Sequence, residues 1–182
     1  MRNLISDLYN LLERFLVEIN IENDIPVSRN RLLYELHIRK LDKLFLNTLG
    51  KYENYLSGGE NINMSFFDNL RNLEISKIEY SLLRGLQKNV CRNVLNRSVY
   101  NVYTFLLWLI FDLQDLKINE DAFNAKYKYN PAKQIFSSID LFELLKTVKK
   151  INPGHYLILK LYFLEVLAFV YTDNDSYYFD FK

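Results

Sequence analysis

Residues 98–116 read SVYNVYTFLLWLIFDLQDL, and this stretch decides the fold class. Its centre, Phe105–Phe111, is the longest wholly apolar run in the chain. A helix with this pattern is apolar on every side, and such helices lie at the centre of a bundle. The run is far shorter than the roughly 20 residues that a membrane-spanning helix needs. The stretch therefore predicts a buried central helix, Val99–Leu116, that begins after a capping Ser98.

The remaining sequence carries the same helical signal, because leucines recur at spacings of three and four residues through most of it. The chain contains only 5 glycines and 3 prolines, and it lacks the glycine motifs of parallel-sheet nucleotide folds. We therefore predict an all-α fold, a six- to eight-helix bundle, for which two packed three-helix subdomains are one arrangement. Residues 1–182 are predicted to form a single helical domain, with subdomain seams near 57–63 and 117–134.

Capping residues and helical periodicity divide the chain into predicted helices. The predicted helices are Leu4–Ile19, Ser28–Gly50, Ser65–Leu73, Ile75–Val94, Val99–Leu116, one that follows a Ser137/Asp140 capping pattern, and one that begins at Asn152-Pro153. Between them, Ser57–Asn63 and Lys117–Gln134 are predicted connections, and the tail Thr172–Lys182 is predicted to be irregular.

Charge and composition exclude several classes of function. Lys and Arg number 23 against 22 Asp and Glu, so the net charge of +1 gives no electrostatic reason to expect nucleic acid as a partner. One cysteine excludes an internal disulfide framework and a zinc site built from cysteines. Two histidines leave little material for a metal cluster. We predict no cofactor and no metal.

Arg31 and His37 are the candidate catalytic residues. Their R-x5-H spacing on one predicted helix resembles that of small helical ribonucleases of the HEPN class. However, residues six positions apart are separated by about 240° around a helix, so the two side chains share a face poorly. Leu32 also occupies the position where that class usually has a polar residue. A ribonuclease is therefore the alternative reading, and an exposed arginine beside a surface histidine is the simpler one.

Cys91, in the middle of a predicted helix, is expected to be a buried structural thiol, and His155 is expected to lie at the start of the last helix without binding metal. The surplus of tyrosines suggests protein interfaces instead of chemistry. The candidate interface residues are Gly58, Gly59 and Glu60 in the first connection, Tyr127 and Tyr129 in the second, and Tyr177 and Tyr178 in the tail.

The last two predicted helices resemble a known family. Phe142-Glu143-Leu144-Leu145, Asn152-Pro153 and the run LILKLYFLEVLAFVY at 157–171 are similar to the C-terminal half of DotU/TssL (IcmH-like) cytoplasmic domains. Upstream, Ile78–Leu83 (IEYSLL) is similar to the tyrosine-bearing helix of that family. These proteins are inner-membrane subunits of type IVB and type VI secretion systems.

The resemblance implies a non-enzymatic scaffold subunit with two helical subdomains and no cofactor. Its expected partners are an IcmF/TssM-like inner-membrane protein and cytoplasmic baseplate proteins, and a homodimer is a further expected state. The expected location is the cytoplasmic face of the bacterial inner membrane, held by an anchor that would follow Lys182. A stand-alone helical effector or interaction protein is an alternative that the sequence leaves open.

Overall fold

The computed structural model describes residues 8, 11, 25–58, 63–124, 127 and 129–170. Of these residues 88% are helical and none lies in a strand. The seven helices that they form are α1 Ile25–Ile38, α2 Asp42–Ser57, α3 Phe66–Leu83, α4 Gln87–Phe123, α5 Pro131–Ser138, α6 Leu141–Ile151 and α7 Pro153–Val170. The predicted all-α class and the predicted number of helices are both confirmed.

The chain divides into two compact units, and one division falls inside α4. The first unit comprises Met1–Asn61 and Phe66–Tyr100, and the second comprises Ile62–Ser65 and Asn101–Lys182. Helices α1 to α3 and the beginning of α4 therefore belong to the first unit. The rest of α4 belongs to the second unit, together with α5, α6 and α7.

The first unit is held together where α1, α2 and α3 pack on one another. Phe45, Tyr52 and Leu56 recur at seven and four residues, which places them on one face of α2. They pack with Leu33 and Leu36 of α1, and all five are at most 9% exposed. Fully burying each such side chain contributes about 1.5–3 kcal/mol, so this cluster stabilises the unit substantially.

The end of α1 overturns a predicted helix boundary. A single helix Ser28–Gly50 was predicted, but α1 ends at Ile38 and α2 begins at Asp42. Lys40 adopts a left-handed φ of 56°, Lys40 N–H donates to the His37 carbonyl, and Leu41 N–H donates to the Leu36 carbonyl. This pair of bonds is a Schellman motif, which normally has glycine at the left-handed position. The prediction was wrong because a lysine gives no such signal.

A second Schellman motif, at Gly85, ends α3. Gly85 has a φ of 65°, and Leu86 N–H donates to the Ser81 carbonyl. The predicted helix 75–94 is therefore wrong, because the helix does not continue past Gly85. The part of it before Gly85 forms one helix, α3, with the predicted helix 65–73. Ser98 does not cap a helix, since its hydroxyl donates to the Leu95 carbonyl within α4.

In the second unit, a side-chain cap starts each of the helices α5, α6 and α7. The Asn152 Oδ1 atom accepts the N–H groups of Gly154 and His155, which confirms the predicted cap before Pro153. The predicted Ser137/Asp140 capping pattern is wrong in its roles, because Ser137 lies inside α5 and Asp140 is itself the cap of α6. Asp140 Oδ1 accepts the Glu143 N–H. Asn130 caps α5 in the same way.

Helix α4 also extends further than predicted. It continues to Phe123, so the residues after Lys117 that were predicted to begin a connection are helical. The predicted helix Leu4–Ile19 lies outside the described residues except for Leu8 and Leu11, which are helical and exposed. The predicted tail Thr172–Lys182 also lies outside them. None of the helices in the described ranges is long and apolar enough to cross a membrane.

Candidate functional site

A pocket of about 420 Å³ lies in the first unit, between α2, α3 and the first turns of α4. Its polar lining includes Glu53, Lys77, Asn89, Arg92 and Asn93. Asn89, Arg92 and Asn93 lie on one face of α4 because they are spaced three and four residues apart. Leucines and a tyrosine form the apolar part of the wall, namely Leu46, Leu49, Tyr80 and Leu86.

The strongest electrostatic feature of this pocket is an ion-pair network around Lys77. The Lys77 Nζ atom lies 2.6 Å from Glu53 Oε1 and 2.5 Å from Glu74 Oε1. Glu74 is only 3% exposed, and its second oxygen lies 3.3 Å from the amide nitrogen of Asn96. Burial alone would lower the pKa of Lys77, but the hydrogen bonds to the two carboxylates outweigh it and raise the pKa. Lys77 therefore stays charged at neutral pH.

This arrangement supplies fixed charge and hydrogen bonds instead of a reactive group. A lysine can act as a base or an amine nucleophile only when it loses its proton near neutral pH. The two carboxylates oppose that loss at Lys77. No group of three or more His, Cys, Asp and Glu in the described ranges is placed to hold a metal ion.

The second unit presents an exposed aromatic and acidic surface on α4, here called the α4 face. It consists of Phe105, Trp108, Asp112 and Asp115, whose spacings of three, four and three residues place them on one side of the helix. Phe105 is 51% exposed and Trp108 is 52% exposed. The predicted burial of this helix on every side is therefore wrong.

The exposure of the α4 face has a simple cause. Leu106, Leu107, Ile110 and Leu113 are all at most 3% exposed, so the opposite side of α4 is buried. The apolar residues of a helix predict burial, but whether every side is covered depends on how many helices surround it, which no single stretch of sequence records. Asp112 and Asp115 have no ion-pair partner among the described residues.

Arg31 and His37 lie in different environments in the structure. Arg31 is exposed on α1, whereas His37 is half-buried with its ring centroid 6.3 Å from that of Phe45. The buried Nδ1 atom of His37 has no hydrogen-bond partner. The two side chains thus leave α1 in different directions, as their six-residue spacing requires. The ribonuclease reading, which needs them in one cleft, stays a prediction.

The candidate interface residues fall partly within the described residues. Gly58 is exposed in the turn after α2, and Tyr127 and Tyr129 are 44% and 66% exposed in the connection between α4 and α5. Gly59, Glu60, Tyr177 and Tyr178 lie outside the described residues. The exposed tyrosines are available for contacts, and their role as an interface stays a prediction.

Cys91 corrects another prediction. The expected buried thiol is an exposed free cysteine on α4. Its neighbour Val90 suggested burial, but Cys91 occupies the outer side of the helix, one position away from the half-buried Val90. Adjacent residues lie about 100° apart around a helix, so the partial burial of Val90 does not extend to Cys91.

His155 lies, as predicted, in the first turn of α7, and it is half-buried there. Its ring packs edge-on against Tyr103 with centroids 5.9 Å apart, and its Nε2 atom lies 3.4 Å from the side-chain nitrogen of Asn152. Because Asn152 Oδ1 accepts backbone N–H groups, this nitrogen is a donor and His155 Nε2 is the acceptor. Burial lowers the pKa of His155, which favours that neutral form.

Sequence reasoning missed both the Lys77 network and the α4 face. Glu74 and Lys77 are three residues apart and resemble an ordinary surface pair. The one available signal was that each residue adjoins an apolar residue in the chain: Leu73 precedes Glu74, and Ile78 follows Lys77. Phe105 and Trp108 gave no signal of exposure, because their neighbours along the chain are equally apolar.

A comparison with protein-family models finds no match for the chain, and comparisons with curated proteins and with solved structures find none either. The resemblance to DotU/TssL domains therefore stays a prediction.

Proposed function

We propose that this protein is a non-enzymatic protein-binding module and that its principal contact surface is the α4 face. The observation that carries the proposal is the exposure of Phe105 and Trp108 side by side on a helix. Tryptophan and other aromatic residues are enriched among the side chains that dominate binding energies at protein interfaces. An exposed aromatic pair beside charged residues is typical of such a site.

The acidic end of the α4 face indicates the chemistry of the partner. Asp112 and Asp115 extend the aromatic pair along α4, and both are exposed. A partner surface that matches this face has an apolar centre with lysine or arginine beside it, because opposite charges across an interface orient the two proteins and speed their association.

The more specific form of this proposal is a scaffold subunit of a type VI or type IVB secretion system, which binds an IcmF/TssM-like membrane protein and baseplate proteins. Its support is the resemblance of Phe142–Leu145, Asn152-Pro153 and the run at 157–171 to DotU/TssL domains. The Lys77 network, in which both carboxylates keep the amine protonated, is compatible with a protein that has no catalytic role.

The test is chemical crosslinking in the native cells, followed by membrane fractionation, with the tagged full-length protein and two variants. Phe105→Ala/Trp108→Ala removes the aromatic pair, and Tyr34→Ala is the matched control because it removes a 54% exposed aromatic side chain from α1. We expect one defined protein to crosslink to the wild type and to Tyr34→Ala but not to the double variant. Truncation of a central interface tryptophan costs about 2 kcal/mol or more, roughly a thirtyfold loss of affinity.

Each outcome decides one level of the proposal. Equal crosslinking by all three proteins would overturn the α4 face as the contact surface. Recovery in the inner-membrane fraction with a large ATPase-like protein would support the secretion-system form. Recovery with a different defined partner would leave the binding module and overturn that form.

A further inference from the structure

Helix α7 has two apolar faces, and only one of them is buried. Leu159, Phe163 and Val166 are fully buried, and Phe163 packs with its ring centroid 6.1 Å from that of Phe136. On the other side of the helix, Leu157 and Leu161 are 65% and 66% exposed. We call this outer side the α7 stripe; it comprises Leu157, Leu161, Leu164 and Ala168.

The α7 stripe has the spacing of a coiled coil. Its members follow one another at intervals of four, three and four residues, which are the d-a-d-a positions of a heptad. In this register Lys160 occupies a g position and Glu165 occupies the next e position. These are the positions whose side chains flank the seam and form ion pairs between the two helices of a coiled coil.

We propose that α7 pairs in parallel with α7 of a second copy of this chain, so that the protein forms a two-fold symmetric homodimer. In a parallel pair, the g position of one helix lies beside the following e position of the other. Lys160 of each copy then meets Glu165 of the other, and the symmetry makes this contact twice. An antiparallel pair brings each flank against the same flank of the second copy, so that Lys160 faces Lys160.

The charges around α7 agree with a parallel pair. Lys160 and Glu165 have no ion-pair partner in the described part of the chain. On the Lys160 side, the Tyr156 ring lies 5.3 Å from Lys149 Nζ and 5.8 Å from Lys160 Nζ, so this flank is basic. On the other flank, Glu165 lies close enough to Tyr162 to help raise its pKa, after the larger effect of burial. A parallel pair therefore joins a basic flank to an acidic one.

The size of the stripe sets the strength of the pair. Leu157 to Ala168 spans about 17 Å of helix, so the interface belongs to the small class that buries less than about 1,200 Å². We therefore expect a reversible dimer whose population depends on protein concentration. This proposal does not rest on the α4 face, which is a different surface of the second unit.

The test is sedimentation equilibrium of the full-length chain over a wide range of concentrations, with charge-reversal variants. Lys160→Glu and Glu165→Lys each place like charges across the seam, and each should weaken the dimer about tenfold through its two lost ion pairs. An equimolar mixture of the two variants should form a heterodimer with the ion pairs restored. Lys51→Glu, at an exposed position of α2, is the control for a change in net charge and should dimerise like the wild type.

Each alternative result overturns the proposal. A wild-type chain that stays monomeric at every concentration would show that the stripe has another occupant or none. A dimer unaffected by either reversal would exclude the parallel α7 pair, since only that pair sets Lys160 against Glu165. A mixture that dimerises no better than its components would exclude parallel pairing. Circular dichroism at each step separates these results from misfolding, which is not expected because Glu165 is exposed and Lys160 is partly exposed.

Discussion

Lys77 is a partly buried lysine whose charge is compensated by two carboxylates. It joins Glu53 to the buried Glu74, and a buried ion pair is destabilised strongly when one member is removed, because the other charge stays buried without compensation. We predict that Lys77→Met lowers the free energy of unfolding by about 3 kcal/mol. Urea denaturation followed by circular dichroism measures this loss.

Two further variants make the Lys77 prediction specific. Lys146→Met removes an exposed ion pair with Glu143 and should cost less than about 1 kcal/mol. Lys77→Met/Glu74→Leu removes the stranded carboxylate as well and should regain most of the lost stability. If the double variant were no more stable than Lys77→Met, uncompensated charge would not be the cause.

His155 makes the stability of the second unit depend on pH. Burial holds the pKa of His155 below its usual value of 6.5, so the unfolded chain binds a proton more readily than the folded one. Stability is therefore complete above about pH 7 and falls as the pH drops through 6.5 toward the folded pKa. Urea midpoints at several pH values should show this loss of stability. His155→Gln should remove the part of the loss that comes from protonation of His155. An unchanged decline in the variant would assign it to other groups.

At the scale of the helix, replacing Gly85 with alanine should lower the free energy of unfolding, whereas replacing Gly50 with alanine should raise it. Gly85 has a φ of 65° and Gly50 lies within α2, and an added Cβ meets no atom within 4 Å at either position. Gly85→Ala should therefore destabilise by about 1–2 kcal/mol through backbone strain alone. Gly50→Ala should stabilise by about 0.5–1 kcal/mol through higher helix propensity. Thermal melts of both variants measure the two changes in melting temperature. Equal changes of the same sign would contradict the left-handed end of α3 at Gly85.

The helix ends show how far the sequence determines the fold. Asn152 was predicted as a cap because a short polar side chain bonds to free N–H groups in a way that depends only on local sequence. The end of α1 was missed because Lys40 takes a left-handed conformation that the packing of α1 on α2 supports and the lysine itself does not favour. Local chemistry could therefore be predicted, and boundaries set by tertiary contacts could not.

The same distinction holds for the candidate site. The abundance of apolar residues in α4 and α7 was visible in the sequence, and it correctly predicts helices with apolar faces. Which of those faces are covered depends on the arrangement of several helices, so the exposure of Trp108 and Leu161 could only be read from the structure. For the same reason a pair such as Arg31 and His37 cannot be assigned to one cleft from its spacing alone.

At the scale of the whole molecule, Trp108 is a built-in reporter that separates the two proposed interfaces. It is the single tryptophan of the chain and is about half exposed. We predict that a partner that covers the α4 face shifts its fluorescence to shorter wavelength and protects it from acrylamide quenching, because the indole loses contact with water. Dimerisation through the α7 stripe should leave both signals unchanged. A concentration-dependent blue shift without a partner would instead place Trp108 in the dimer contact.

The position of the division inside α4 also has a consequence for synthesis on the ribosome. Apart from the short segment Ile62–Ser65, the first unit is contiguous in sequence and ends at Tyr100. Helical units built from nearby residues collapse quickly, and domains generally form from the N-terminus as the chain emerges. The first unit can thus be assembled while the apolar run Phe105–Phe111 is still arriving. Phe111 at the end of that run packs against Tyr162 of α7, with ring centroids 5.7 Å apart, and α7 begins more than 40 residues later. Until α7 has been synthesised the run lacks this contact, so the nascent chain is then prone to aggregation.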